Sequence, residues 1–387
     1  MSRIDELLEE LAPNGVLYRS LSQVAGYSTT RVEASRLTPA TFVGVDNLVA
    51  EKGGRVDAQY LPNTSMLTAY EPGDILLGNI RPYLKKVWLA SNSGGCSGDV
   101  LAIRLDEQWS KSLVPEFLYY VLSSDRFFGF NMRHAKGAKM PRGDKQAILN
   151  YEVPVPPLEV QREIVRILDQ FTQLEAELEA ELEAELEARR RQFSAYRKEL
   201  LSTDFDELTR ARIGDVLDLK AGKFISASEI LPNADETHAI PCFGGGGLRG
   251  FVAEGNHEGD HVLIGRQGAL CGNVKRSSGS FYATEHAVVV TPGSGIDLSW
   301  SYHLLTFMDL NRYASKSAQP GLAVGTLNQL EISIPSFEEQ SRIGRILDSF
   351  ESLTESMSNG LPAEIGARRK QYEYYRDKLL TFKELAA

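Results

Sequence analysis

The sequence predicts an α+β protein. Two strand-rich globular units are separated by two long helices that form an antiparallel coiled coil, with a pseudo-two-fold internal repeat. Three observations carry this. A segment of about fifty residues occurs twice; a run of leucine tetrads lies inside its first copy; and short alternating apolar stretches broken by Gly, Pro and Asn fill the chain before and between the copies. The first copy opens Glu159-Val-Gln161-Arg-Glu-Ile164-Val-Arg166-Ile167-Leu168-Asp169-Gln-Phe171. The second opens Glu338-Glu-Gln340-Ser-Arg-Ile343-Gly-Arg345-Ile346-Leu347-Asp348-Ser-Phe350. The offset of 179 residues holds without a gap, and 153–202 and 332–381 share 21 identities in 50 positions. A repeat of this length fixes the architecture before any local reading.

The expected domains are 1–152, an N-terminal helix plus a first globular unit; 153–202, a long helix; 203–331, a second globular unit; and 332–387, a second long helix kinked near 359–362. Residues 1–11 form an amphipathic pattern with Ile4, Leu7, Leu8 and Leu11 on one face. Strands are expected at Thr41–Val45, Asp74–Gly78 and Asp99–Arg104, and a helix at Pro115–Leu122 with Pro in its first turn. Val153–Pro157 is extended, because residues before Pro avoid the α region. Leu174-Glu-Ala-Glu, Leu178-Glu-Ala-Glu and Leu182-Glu-Ala-Glu follow, then Leu186-Glu-Ala-Arg, all strong helix formers.

Leu174, Leu178, Leu182 and Leu186 fall opposite Leu353, Met357, Leu361 and Ile365 at the repeat offset. Both copies keep an apolar seam while their charges diverge, which favours burial of one seam against the other. Ser336-Phe-Glu-Glu339 has capping-box spacing. Asn359-Gly360-Leu361-Pro362 reads as a stop and restart.

Length and composition fit a soluble protein of two or three domains, with 42% hydrophobic and 24% charged residues. The net charge of −10 excludes a uniformly basic nucleic-acid binder but leaves local basic faces open. Cys96, Cys242 and Cys271 form no CxxC pair, which fits a reduced cytoplasmic protein. There is no apolar run long enough to span a membrane and no secretory leader pattern.

Two motifs suggest enzymes. His257-Glu258-Gly259-Asp260-His261 matches HExxH, but zinc chemistry needs both histidines on one helix face, and the glycines and the alternating residues that follow favour a turn before a strand. Gly245-x-Gly247-x-x-Gly250 matches the dinucleotide fingerprint, but no helix pattern follows it. A glycine loop allowing close backbone approach fits better. His134, His238, His286 and His303 are isolated. No catalytic residue and no metal site is expected.

The basic loops point elsewhere. Arg126–Lys145 carries Arg133, Lys136, Lys139, Arg142 and Lys145 on a glycine- and proline-broken loop. Arg81, Tyr83, Lys85 and Lys86 follow the Asp74–Gly78 strand directly. In the second half, Arg266, Gln267 and Lys275 follow the equivalent strand, and Arg312, Lys316 and Gln319 take the place of the first basic loop. Lys223 and Arg249 complete the candidate DNA contacts. Such loops combine phosphate-neutralising cations with Gln and Arg that bond base edges. A coiled-coil protein-interaction scaffold, or a DNA-binding regulator acting alone, are the alternatives.

With these residues assembled, the chain resembles the specificity subunit of a type I restriction–modification system, and the tetrads resemble the IC subgroup. The carrying motifs are Val-Pro-Pro-Leu-Glu-x-Gln-x-x-Ile-Val-x-Ile-Leu-Asp-x-Phe at 155–171, Ile-Leu-Asp-Ser-Phe at 346–350 and Arg-Arg-Lys-Gln-Tyr-Glu-Tyr-Tyr-Arg-Asp-Lys-Leu-Leu at 368–380. The resemblance implies two target-recognition domains reading a split, asymmetric double-stranded DNA sequence. It also implies long helices that dock two methyltransferase subunits, and restriction subunits through them. Catalysis and S-adenosylmethionine would then belong to those partners, with no cofactor in this chain. Within the docking regions the resemblance places Gln161 and Gln340.

Overall fold

The computed structural model describes residues 2–202, 208–268, 270–316 and 320–385. The chain runs α1 (Arg3–Leu11), β1 (Leu17–Ser20), α2 (Leu21–Val24), β2 (Ala25–Tyr27), β3 (Arg31–Glu33), β4 (Phe42–Val43), β5 (Met66–Tyr70), β6 (Ile75–Gly78), β7 (Val87–Leu89), β8 (Gly94–Cys96) and β9 (Val100–Leu105). It continues α3 (Pro115–Leu122), α4 (Asp125–His134), α5 (Lys145–Leu149), β10 (Glu152–Val155) and the long α6 (Leu158–Ser202). The second half holds β11 (Thr209–Arg212), α7 (Ile213–Val216), β12 (Leu217–Ala221), β13 (Ile240–Gly244), β14 (Gly247–Val252), β15 (His257–Glu258), β16 (His261–Gly265), β17 (Val274–Ser277), β18 (Ser280–Ala283) and β19 (Ala287–Pro292). It ends with α8 (Leu298–Phe307), α9 (Val324–Asn328), β20 (Glu331–Ile334) and the long α10 (Phe337–Leu379).

Two compact units result, Met1–Ala180 with Ala363–Ala387, and Glu181–Pro362. Among the described residues, no helix is long and apolar enough to cross a membrane. Unit one has a sheet in the order β2-β9-β6-β7 and a second in the order β3-β5-β8-β4, where β4 and β8 are parallel. Unit two repeats the first sheet as β12-β19-β16-β17, and its second runs β14-β13-β18-β15, with β13 and β18 parallel. In place of the glycine-rich hairpin β13–β14, the chain of unit one after β4 closes a shorter hairpin through the Leu48–Arg55 bridge. Each unit also has an antiparallel ribbon, β1 with β10 and β11 with β20, leading into a long helix. In unit one the segment after α10 joins that ribbon. Val16 N–H donates to the Lys383 carbonyl at 2.8 Å, and Leu385 N–H donates to the Val16 carbonyl at 2.9 Å.

The expected strands survive, Asp74–Gly78 as the shorter β6 and Asp99–Arg104 as β9 shifted by one residue. Thr41–Val45 contracts to β4, where pairing with β8 covers two residues. Pro115–Leu122 is the helix α3, and α1 starts at a reciprocal cap between Ser2 and Asp5. The first turns of the long helices are core. Ile164 and Leu168 pack with Leu77, Ile103, Phe117 and Val121 in unit one; Ile343 and Leu347, at the repeat offset, pack with Val262, Ile264, Trp300 and Leu304 in unit two. Burying each such side chain stabilises by roughly 1.5–3 kcal/mol.

Farther along, the helices pair antiparallel within each unit. In unit one, the rings of Phe171 and Tyr372 lie 6.3 Å apart, and Arg369 reaches Glu175 at 3.3 Å and Glu179 at 3.0 Å. In unit two, Phe350 stacks on Phe193 at 6.5 Å and on Tyr196 at 5.2 Å, and Arg197 lies 3.7 Å from Glu351. Phe171 with Tyr372 and Phe350 with Phe193 are the same pair at the repeat offset.

The seam is narrower than the sequence suggests. Leu178, Leu182, Leu186, Met357, Leu361 and Ile365 are half-buried, but Leu174 and Leu353 are 61% and 65% exposed. A four-residue step drifts about 40° around a helix of 3.6 residues per turn, so the first leucine of each run leaves the contact line. The expected stop and restart at 359–362 is also corrected. α10 is a single helix with Gly360 and Pro362 inside it, although Pro362 offers no N–H to the preceding turn. The boundary between the two units in α10 falls at that proline.

Candidate nucleic-acid interface

In unit one the two basic loops meet. β6 ends at Gly78, and the chain leaves through Arg81, whose φ of 51° is left-handed, into a short turn closed by Lys85 at φ 49°. Non-glycine residues hold that conformation at a cost of about 1 kcal/mol or more each, so the surroundings must fix it. They do: Arg81 N–H donates to the Pro141 carbonyl at 2.7 Å, Leu84 O accepts from Glu51 N–H at 2.9 Å, and Lys85 O accepts from Lys52 N–H at 3.0 Å. Lys136 and Arg142 exchange both backbone hydrogen bonds at 2.8 Å, which closes the second loop into a hairpin with Gly137 at φ 98°. Ile80 is bridged to Arg142, so the hairpin lies beside the first loop.

This leaves Arg81, Tyr83, Arg133, Lys136, Lys139, Arg142 and Lys145 exposed. Lys136 lies 2.5 Å from Asp144, and its hydrogen bond, with those of the Ala147 and Gln146 amides, holds Asp144 down to about 2. Arg142 leans on Asp99 at 3.2 Å. Lys85 and Lys86 depart from expectation. Lys85 is tied to Asp125 at 3.0 Å, and Lys86 donates to the Val45 carbonyl at 2.7 Å, so both ammonium groups are committed to holding loops.

Unit two builds the same junction from other residues. Arg266 N–H donates to the His286 carbonyl at 2.7 Å, Leu322 N–H donates to the Arg266 carbonyl at 2.8 Å, and Gln267 is bridged to Gly321. The loop after β16 thus meets the segment after α8, as the loop after β6 meets the segment after α4. Arg266 is half-buried; Lys223, Arg249, Gln267, Lys275, Arg312 and Lys316 are exposed, with Arg312 over the Tyr313 ring at 4.7 Å. Gln319 lies outside the described residues. Arg249 and Gln267 line a cleft of about 460 Å³ with Gly244, Gly245, Gly246, Gly247, Leu248, Gly268 and His286.

Gln161 and Gln340 are corrected. Both are buried, at 0% and 1% exposure. Gln161 Oε1 accepts from Val114 N–H at 2.9 Å, and Nε2 donates to the Ser112 and Pro156 carbonyls at 2.7 Å each. Gln340 repeats this with Asp297 N–H at 2.9 Å, Gly295 O at 3.2 Å and Pro335 O at 2.9 Å. Each amide fastens the start of a domain helix to the root of a long helix, and neither side chain is free to meet a partner.

The sequence reading passed over a second repeated fastening. Tyr120 O–H donates to Asp169 at 2.6 Å, and His303 Nε2 lies 2.9 Å from Asp348 Oδ1. The signal was present, since both aspartates belong to the repeated Ile-Leu-Asp. Arg276 also engages Asp348.

His257 and His261 stand on β15 and at the start of β16, with His257 Nδ1 2.7 Å from Asn256 Oδ1 and His261 Nε2 3.1 Å from the Glu258 carbonyl. That is not the helical geometry of HExxH. Gly245–Gly250 belongs to the β13–β14 hairpin, not to a strand–helix turn. Among the described residues, His303, Asp348 and Glu351 bring three candidate ligand atoms together. Arg276 and Arg197 already neutralise these two carboxylates, so the cluster is an ion-paired joint between elements.

The fold and its loops define a class: a duplicated α+β protein with a paired basic loop in each copy. Residues 89–188 and 206–367 match the model of the type I restriction modification DNA specificity domain, and the chain belongs to that family of specificity subunits. It is 55% identical over 207 residues to the Escherichia coli type I restriction enzyme EcoprrI specificity subunit, a match covering 53% of this chain and 52% of that protein. The chain thus spans about half the length of that relative. A putative type I restriction enzyme specificity subunit of Haemophilus influenzae is 34% identical over 304 residues, covering 70% of this chain and 73% of the other. The fold is shared with the HsdS subunit of Thermoanaerobacter tengcongensis, at a TM-score of 0.60 and 19% identity, covering 96% of this chain and 97% of that one. It is shared more closely with a chain from a study of complex assembly and conformational transition in the type I R-M system, at a TM-score of 0.75 and 20% identity, covering 95% and 98%.

Proposed function

We propose that the chain is the non-catalytic part of a DNA adenine methyltransferase and endonuclease complex, and that each unit reads one half of a split, asymmetric target in double-stranded DNA. The observation that carries this is the recurrence of the loop junction: Ile80 bridged to Arg142 in unit one, Gln267 to Gly321 in unit two. Each junction gathers cations beside the end of a buried strand, where they can neutralise phosphates and present donors to base edges. Two such readers in one chain suit a bipartite sequence. The paired helices then serve as the connector and as the docking surface for two methyltransferase subunits, with restriction subunits added through them. S-adenosylmethionine and the flipped adenine belong to those partners, and the complex works in the cytoplasm.

The test is to co-express the chain with its methyltransferase subunit and map modified adenines by long-read sequencing. A two-part motif with a fixed gap is expected. A continuous motif, or no chain-dependent modification, overturns the reading; binding to methyltransferase without DNA affinity would instead indicate a protein-interaction scaffold.

A further inference from the structure

We propose that the cleft of unit two is a base-reading site in which Arg249 takes a guanine edge and Gln267 an adenine edge, while the surrounding lysines only hold phosphates. This rests on the reading of unit two as a DNA-binding unit and says which of its side chains select sequence.

The cleft exists because the hairpin turn has no side chains. A Cβ on Gly245 would stand 2.4 Å from the Gln267 carbonyl, and one on Gly265 would stand 2.0 Å from the Gly245 carbonyl. The turn therefore rests backbone-to-backbone on the end of β16, and glycine at φ 108° and 154° (Gly247 and Gly250) carries it back into β14. What remains to face a ligand is a short set of side chains on a fixed frame. Gln267 is anchored through its bridge to Gly321, and the chain beside it through the bond from Arg266 N–H to His286.

These side chains are uncommitted. Among the described residues, Arg249 has no ion-pair partner and the Gln267 amide has no hydrogen-bond partner, whereas Arg276 is held by Asp348. The cleft wall also carries an unsatisfied polar atom: His286 Nδ1 is buried with no partner, as is Oε2 of the adjoining Glu285. A buried polar atom without a partner costs roughly 1–3 kcal/mol. Leu248 and Leu270 are 58% and 56% exposed beside the turn, with Leu270 Cδ1 3.2 Å from where a Cβ on Gly246 would sit. Apolar groups beside a guanidinium and a primary amide match a base-pair edge, where a thymine methyl adjoins donors and acceptors.

The equivalent place in unit one carries different groups. Val45 lies 3.5 Å from where a Cβ on Gly78 would sit, and Lys86 caps its carbonyl. The two units therefore read with different groups, as an asymmetric target requires.

The test uses the full complex with its methyltransferase partner, comparing Arg249→Ala, Gln267→Ala, Gln267→Glu and Lys316→Ala by modification mapping and by titration with the mapped duplex. Arg249→Ala and Gln267→Ala should each make one position degenerate, both in the same half of the motif, and weaken the matched duplex about tenfold to a hundredfold. Gln267→Glu keeps the side-chain shape but only accepts hydrogen bonds, so it should turn that position towards cytosine. Lys316→Ala should weaken all duplexes alike and flatten the salt dependence. An unchanged motif in the Arg249 and Gln267 variants, or equal weakening on every sequence, overturns the assignment while leaving unit two a DNA reader. A wild-type complex that modifies no split motif overturns both.

Discussion

Tyr120 and His303 occupy one structural position and meet the same repeated aspartate, yet they respond to acid differently. His303 is fully buried, and burial, with Arg276 and Arg197 nearby, pushes it down to about 4 despite its contact with Asp348. In the folded state it is therefore neutral at pH 6, while in the unfolded chain it titrates near 6.5. A depressed histidine binds fewer protons folded than unfolded. Its contribution is thus complete above about 6.5 and is lost as pH falls from there towards 4, by up to about 3 kcal/mol. Thermal melting of unit two should weaken over that window. His303→Tyr, which imports the Tyr120 arrangement, should flatten the dependence; an unchanged slope would refute the linkage. Residue identity was legible here, but environment was not. Gln161 lies on the same stripe as Ile164 and Leu168, and that spacing could have flagged it as buried. The family resemblance instead placed it in a docking region.

Among the elements, the long helices were the most legible and their details the least. Helix-forming tetrads and a duplicated segment gave their extent, because propensity and repetition act along the chain. Which leucines enter the seam depends on rotation about the axis. That rotation is fixed by aromatic pairs such as Phe171 with Tyr372 and Phe350 with Phe193. Pro362 is the opposite failure. Its local rule ends a helix, but packing of α10 on either side, from Phe350 to Tyr372, carries the helix through. Pro362→Ala should restore an N–H to the helix and raise stability by up to about 3 kcal/mol, read as a higher melting temperature. A lower one would mean that the proline's own packing matters more. Strands were placed well but drawn long at β4, since a two-residue parallel pairing leaves no periodic signature.

For the whole molecule, the duplication was the decisive signal, and it made the α+β class and the paired helices readable without any loop geometry. The loop junctions were only partly readable. Clusters of cations were visible, but their ion pairs are made across tens of residues, as between Lys85 and Asp125. If the paired helices set the distance between two readers, the tetrads act as a ruler. Removing one tetrad shortens a helix by about 6 Å, or one to two base pairs at about 3.4 Å each. The mapped motif should keep both halves and lose one or two positions from its gap; a gap of unchanged length would sink the ruler.

The joining of Val16 to residues 383–385 also sets an order of birth. Unit two is drawn from one continuous stretch, Glu181–Pro362, and every residue it needs has been made once synthesis passes that point. Unit one must hold an unfinished ribbon and an uncovered helix face until residues 363–385 arrive. Domains fold as units when their chain becomes available, so the half translated first is the half that closes last.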